Sequence, residues 1–355
     1  MSDDGAPFGP LSSGHWATTR LPDAWYILAA SAELTDAPVR RRLHGLPIVL
    51  FRDEHGRAAA LVDRCAHRNV PLSAGRRVGG ELECSYHGWR FGRDGVCRHV
   101  PALVAAVHEG KARRVPSFAS REQQGYVWVW GRPDAEPTSE PFVFPHVGER
   151  RYALVRYSRT LATSVYGAAE NALDVPHTAF LHRGLFRGGK PNRIKARVRR
   201  SPTGVEAEYV GEPVPTGLLA RVLAPRGGTV RHFDRFLLPS IVQVEYALGD
   251  DSHLVLTNAL TPESDFEVRM FAMGVLRLPF GAWLASRLLL PLARHVVAQD
   301  AEILAQQTET TRLFGGEQFV STDVDVLGPQ ILRLLRQAER GEVVTPSEHE
   351  VELQA

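Results

Sequence analysis

At 355 residues the chain can form one large domain or two ordinary ones, each with a sizeable core. An apolar content of 44% and a charged content of 23% are those of a water-soluble globular protein. A formal net charge of +2, with no Lys/Arg cluster interleaved with aromatics, excludes nucleic acid as the expected partner.

In chain order, residues 1–19 are rich in Gly, Ser and Pro and read as a loose N-terminal arm. Met1–Pro7 lacks the basic and apolar stretches of a signal peptide. From Arg20 short apolar runs alternate with turn signals, which predicts antiparallel β-structure: a strand at Leu46–Phe51, a turn at Asp53–Gly56 and a strand at Ala58–Val62. Next come Cys65-Ala-His67 and, after sixteen residues, Cys84-Ser-Tyr-His87. Gly75 and Gly79-Gly80 mark turns between the two hooks, which suits ligands on facing loops. Two thiolates and two imidazoles are the ligand set of a Rieske [2Fe–2S] centre, in which the histidines replace cysteine on one iron and raise the reduction potential. Structural zinc also takes Cys2His2 sets and stays open at this point. The third cysteine, Cys97, reads as a buried free thiol, and without a disulfide framework a cytoplasmic location is expected. Gly125–Gly131 is the clearest strand, and Arg132–Pro141 reads as a linker, so the first domain is expected over residues 20–135.

The second half predicts a strand near Tyr152–Leu161, a helix around Ser164–Leu173, and strands at Arg193–Tyr209, Thr229–Phe236, Ile241–Leu248, His253–Leu260 and Glu267–Val275. A helix follows over about Trp283–Thr311. Residues 145–340 thus read as an α+β domain, an antiparallel sheet with helices on one face and a cavity between them. Apolar residues at Val214–Leu223 and Phe233–Tyr246 are expected to line that cavity, and residues 341–355 to form a frayed tail. The apolar stretch from Phe271 to Val297 is interrupted by Arg277, Arg287, Arg294, Pro279 and Pro291. It reads as a buried strand and helix rather than a membrane element.

Within the helical stretch lies Glu170-Asn171-Ala-Leu-Asp174-Val-Pro-His177-Thr-Ala-Phe-Leu-His182. Non-haem Fe(II) oxygenases hold iron with two histidines and one carboxylate. A separation of five puts His177 and His182 well apart around an ideal helix, so convergence requires a break, for which Pro176 offers a reason. Asp174, one turn before His177, is placed to fix an imidazole tautomer. An H-x4-H pair by itself reads by default as a pair of surface histidines.

Together these segments resemble the Rieske non-haem iron oxygenases, the ring-hydroxylating type rather than the respiratory type. The respiratory hooks each carry a further cysteine where this chain has Val70 and Tyr86. The segment at Asn171, Asp174, His177 and His182 is similar to the family's N-x-x-D-x-x-H-x4-H motif. Gln299–Gln307 is similar to the helix that carries the third ligand, with Asp300 in the ligand place and Glu302 as its competitor. The similarity runs from Arg20 to about residue 335 and is nearest to α-subunit-only members such as the pheophorbide a oxygenase, dicamba demethylase and aminopyrrolnitrin oxygenase groups.

The resemblance implies a Rieske domain followed by a helix-grip, START-like catalytic domain. It implies [2Fe–2S] at Cys65, His67, Cys84 and His87, mononuclear Fe(II) at His177, His182 and Asp300, and Asp174 and Asn171 as further catalytic residues. It also implies O2 as cosubstrate, a separate reductase or ferredoxin, and a homotrimer in which Asp174 faces His87 of a second copy. The expected reaction is hydroxylation or O/N-dealkylation of an apolar cyclic small molecule. The rival reading is a Rieske electron carrier without oxygenase activity of its own.

Overall fold

The computed structural model describes residues 16–101, 103, 113–182, 193–212, 230–249, 252–278 and 282–354. The chain divides into two compact units. One is Arg20–Val143 with Thr261–Ser264; the other is Phe144–Leu260 and Asp265–Ala355 with the N-terminal residues.

The first unit is all β. Strands β1 (Trp25–Ala30), β2 (Val39–Leu43), β3 (Leu46–Arg52), β4 (Ala58–Val62), β5 (Arg76–Val78), β6 (Glu81–Glu83), β7 (Arg90–Phe91), β8 (Cys97–His99), β9 (Ser117–Phe118), β10 (Ser120–Gln123) and β11 (Tyr126–Trp130) form three sheets. Their orders are β1-β11-β10, β2-β3-β4-β9 and β5-β6-β7-β8. Strands β3 and β4 are covered on both faces, which is why they read as continuous apolar runs rather than alternating ones. Ile48, Leu50, Ala58 and Ala60 pack on Tyr26, Leu28, Val127 and Val129. Val49, Phe51, Ala59 and Leu61 turn the other way, into a core that holds Cys65, Leu72, Leu82, Cys84 and Phe91. Both hook cysteines are therefore rooted in one apolar cluster. The segment read as a linker packs back on this unit: the Ser139 carbonyl accepts from Trp25 Nε1, and just beyond the segment the Phe142 carbonyl accepts from Gln123 Nε2.

The second unit is α+β. Strands β12 (Ala153–Leu161), β13 (Arg193–Ser201), β14 (Gly204–Val210), β15 (Val230–Leu237), β16 (Ile241–Leu248), β17 (Ser252–Ser264), β18 (Glu267–Arg277) and β19 (Ser347–Gln354) make an eight-stranded sheet ordered β12-β18-β17-β16-β15-β14-β13-β19. Among the described residues, four helices accompany it: α1 (Val165–Leu173), α2 (Thr178–Leu181), α3 (Ala282–Leu313) and α4 (Gly328–Glu339). Helices α1 and α4 pack over β14–β16, and α3 packs over β12 and β18. The period-2 pattern of β15 buries His232, Asp234 and Phe236 on one face. Register places Tyr209 and Tyr246 beside His232.

Four expectations change. The tail is not frayed: Ser347–Gln354 pairs along its length with β13, with Val351 and Leu353 opposite Ala196 and Ile194, and Glu348 and Glu350 beside Arg199 and Arg197. Its alternation of acidic and apolar residues is that of an edge strand. Arg193–Tyr209 is a hairpin, turning at Pro202-Thr203. Helix α4, with buried Ile331, Leu334 and Leu335, was not foreseen. Of the expected loose arm, residues 1–15 lie outside the described ones, yet Ala17 is buried and its N–H donates to Glu317.

Phe271–Val297 divides between β18 and α3, which contains Pro291. Among the described residues no helix is long and apolar enough to cross a membrane.

Candidate metal centres and active site

The two hooks share one backbone design. In the first, Cys65 N–H donates to the Val70 carbonyl (2.9 Å) and Asn69 N–H donates back to the Cys65 carbonyl (3.0 Å). In the second, Cys84 N–H donates to Trp89 (2.8 Å) and Gly88 N–H to Cys84 (3.0 Å). The residue four beyond each cysteine has positive φ, 61° at Asn69 and 69° at Gly88, a conformation that Asn and Gly tolerate best. The hooks come together because Gly75, after the first, passes close to the second: a Cβ there would lie 2.0 Å from the Glu83 carbonyl oxygen. A buried and a half-buried carboxylate brace the two arms. Asp63 accepts from Ser73 N and Oγ, each at 2.7 Å, and Glu83 accepts from Arg76 and Arg90, each at 2.8 Å. None of these bracing residues was foreseen from the sequence.

His67 stacks on Trp89 (centroids 4.6 Å apart) and meets His87 at 4.5 Å. Its Nδ1 is buried without a hydrogen-bond partner among the described residues. Burial, with the Cys84 thiol alongside, pushes the Cys65 thiol up to about 11. Two adjacent buried sulfurs and an orphaned imidazole nitrogen fit a metal cluster, whose charge would replace the thiol protons. His87 is exposed and carries Tyr86, 63% exposed, against its ring at 3.8 Å. It is the solvent-facing end of the set.

The second site begins at α1, capped by Ser164 Oγ, which accepts from Gly167 N–H (3.0 Å). The helix stops at Leu173. Asp174 is extended (φ −81°, ψ 107°), and Pro176 keeps the preceding residue out of helical conformation. A short α2 follows, with His177 at its head and His182 at its end, so the break required by their spacing is present. The two Nε2 atoms lie 3.3 Å apart. Asp300, from α3, places Oδ1 3.1 Å from His182 Nε2 and 3.6 Å from His177 Nε2. The competitor Glu302 is exposed.

The other ring nitrogens are committed. His177 Nδ1 lies 2.5 Å from the Asp174 carbonyl oxygen, and His182 Nδ1 lies 2.9 Å from Gln299 Oε1. Both oxygens only accept, so each Nδ1 carries the proton and each Nε2 turns a lone pair toward its neighbour and toward Asp300. Asp300 Oδ1 is itself buried without a hydrogen-bond partner. A cation would offset such a convergence of acceptors, and two imidazoles with one carboxylate fit a facial Fe(II) site. Without a cation the same carboxylates draw a proton to the site instead. Burial opposes a charge on His177, yet the Asp174 and Asp300 carboxylates outweigh it and raise the ring to about 9.

At His177 the Asp174 backbone carbonyl acts together with its carboxylate: the carbonyl oxygen lies 2.5 Å from Nδ1, while the carboxylate accepts the His177 backbone N–H at 3.1 Å and lies 3.4 Å from the same Nδ1. Asn171 lines, with Asp174, His177, Leu181 and Leu304, a cleft of about 430 Å³ beside the site. Gln299 and Glu170, the latter on the same cleft, were not singled out from the sequence; the only signal for Gln299 is its place next to Asp300. Val214–Leu223 lies outside the described residues, and only alternate residues of Phe233–Tyr246 face the helices. Just before that segment, His232 is stacked between Tyr209 and Tyr246 (4.6 and 4.0 Å) and bracketed by Glu212 and Asp234 (2.7 and 3.0 Å).

Residues 24–119 match the Rieske [2Fe-2S] domain family, and residues 164–341 match the vanillate O-demethylase oxygenase C-terminal domain family. The chain is 30% identical over 268 residues to the oxygenase component of chloroacetanilide N-alkylformylase from Rhizorhabdus wittichii (71% of this chain, 75% of that one). It is 32% identical over 272 residues to aminopyrrolnitrin oxygenase PrnD of Pseudomonas fluorescens (72% and 74%). The fold is shared with dicamba monooxygenase bound to dicamba: TM-score 0.76, 24% identity, 91% of this chain and 98% of that one. With both domain families present in this order, and with relatives matched across most of their length, the chain belongs to the Rieske non-haem iron oxygenases.

Proposed function

We propose that this oxidoreductase uses O2 to hydroxylate, or to remove an O- or N-alkyl group from, an apolar cyclic small molecule. Cys65, His67, Cys84 and His87 would hold the [2Fe–2S] cluster, and His177, His182 and Asp300 the Fe(II). When bound, the cluster supplies single electrons and the iron binds and activates O2. The chain's own groups do the rest. The Asp174 carbonyl and Gln299 hold both imidazoles in the tautomer that presents Nε2. Leu181, Leu304, Phe180 and Ile303 make the cleft beside the site largely apolar.

Electrons would come from a separate reductase or ferredoxin, a reading supported by relatives named as oxygenase components. The exposed ring of His87 suits transfer to Asp174 of a second copy within a homotrimer. The observation that carries the proposal is the convergence of two Nε2 lone pairs on a buried, unpartnered carboxylate oxygen. Iron quantitation and EPR on anaerobically purified protein test it. Asp300→Ala is expected to lose one iron per chain and keep the Rieske signal; unchanged iron content sinks the assignment.

A further inference from the structure

Oxygen insertion consumes protons as well as electrons: RH + O2 + 2e− + 2H+ gives ROH + H2O. The two imidazoles beside the reacting centre are poor carriers, since each Nδ1 proton is tied to an acceptor and each Nε2 faces the metal position. Glu170 is placed differently. It lines the 430 Å³ cleft together with His177 and Asp174. It also lines a second cavity of about 10 Å³, with Asp174, Tyr209, Asp325 and Gly328. That free volume is what a single water needs, and Glu170, Asp174, Tyr209 and Asp325 in its lining are residues able to partner one.

The remaining geometry serves the same arrangement. Gly328 opens α4 beneath Glu170, and a Cβ there would lie 3.1 Å from Glu170 Cγ. No hydrogen bond holds the Glu170 carboxylate among the described residues. Asp325, on the far side of the small cavity, is half-buried next to exposed Val324 and accepts from Thr322 N–H at 2.6 Å.

We propose that Glu170, with the water-sized cavity behind it, delivers protons from the Asp325 side to the mononuclear iron site. The inference rests on the iron assignment proposed above. The groups facing Glu170 are Asp174 and Tyr166 from its own segment, Asp325 ahead of α4, His177 on α2 and Tyr209 on β14, while α3 adds Gln307 and apolar side chains. Arg336 of α4 acts on Tyr166. Burial first, then the Asp174 and Asp325 charges, raise Glu170 to about 7, so it holds its proton below neutrality and yields it above. A carrier poised there exchanges protons in both directions.

The test needs no substrate. Reduced, iron-loaded protein is mixed with O2, and cluster reoxidation is followed by visible absorbance. The reaction O2 + 2e− + 2H+ to H2O2 takes one electron from the cluster and one from Fe(II), and it draws on the same proton route. Asp300→Ala defines the iron-dependent part. In wild type that part is expected to slow as pH rises through about 7 and to slow in D2O. Glu170→Gln should lower it by on the order of 10²-fold and remove both dependences, with iron content unchanged. Glu170→Asp should recover part of the rate.

Gly328→Ala, which displaces the side chain and keeps its charge, should give an intermediate loss. Wild-type rates and an unshifted pH profile in Glu170→Gln overturn the proposal while the iron assignment stands. If Asp300→Ala oxidises like wild type, the iron assignment falls and this inference falls with it.

Discussion

The two candidate metal centres are built on opposite plans. The cluster hooks are local: each closes on itself through a pair of backbone hydrogen bonds within six residues, and both rest in one apolar core. The mononuclear site is assembled across the fold, from a broken helix and from α3, with Gln299 lying 117 residues beyond the histidine that it holds. A local site is written into short-range spacing, and its rigidity comes from backbone. A long-range site is only as well formed as the sheet and helices that bring its parts together. The two should therefore fail differently.

The largest effect is expected at the hooks. Cys65→Ser should abolish the Rieske EPR signal and all reductant-driven O2 consumption. Iron bound through His177 and His182 should survive, because that site draws nothing from the hook. Gly75→Ala should approach the same outcome without touching a ligand, since its Cβ has no room beside the Glu83 carbonyl. Full cluster loading in that variant would show that the hooks do not depend on their close approach.

The catalytic half leans instead on buried charge. His232 lies between Glu212 and Asp234, and although burial opposes its charge these carboxylates raise it to about 9. Asp234→Asn should cost about 3–5 kcal/mol in urea unfolding, because it leaves a buried charge with one partner fewer. The linkage has a definite sign. A histidine raised from 6.5 to about 9 contributes stability that is complete below its ordinary value and lost as pH rises through about 9. The alkaline loss of stability should therefore be smaller in Asp234→Asn than in wild type, and equal slopes would count against a charged His232. A smaller effect is expected at Gln299. Gln299→Leu should weaken iron binding about 10–100-fold through His182, whereas Gln299→Glu, which keeps an acceptor, should bind nearly as well.

How far each centre could be read in advance follows from the same contrast. Cys65, His67, Cys84 and His87 declare themselves because residue type and spacing both belong to the local chain. Strands β3, β4 and β11 were legible as continuous apolar runs. His177 and His182 were legible as a pair, and Pro176 announced the break between them. Asp300 was separable from Glu302 only through family resemblance, since nothing in the local sequence says which helix face meets the histidines. Gln299, Glu170 and the Asp174 carbonyl stayed hidden because their roles depend on where a distant element lies. Strand β19 was missed for a related reason. Its acidic residues suggested solvent, yet they face arginines of β13, and the pairing partner lies some 150 residues upstream.

That edge pairing permits the finest discrimination between backbone and charge. Glu348 lies 3.3 Å from Arg199, and both side chains are about half exposed. Screening and side-chain entropy leave such a pair about 0.5 kcal/mol or less, so Glu348→Gln should barely move the unfolding midpoint, and less still in high salt. Leu353, 4% exposed, sits on the opposite face of the same strand and lines the small cavity with Glu170. Leu353→Ala should cost about 2–5 kcal/mol and enlarge that cavity. If the two substitutions cost the same, the ion pairs hold β19 to the sheet as much as its packed face does. If only Leu353→Ala matters, the acidic strand is held by its apolar face, and its charges serve to keep an exposed sheet edge from pairing further.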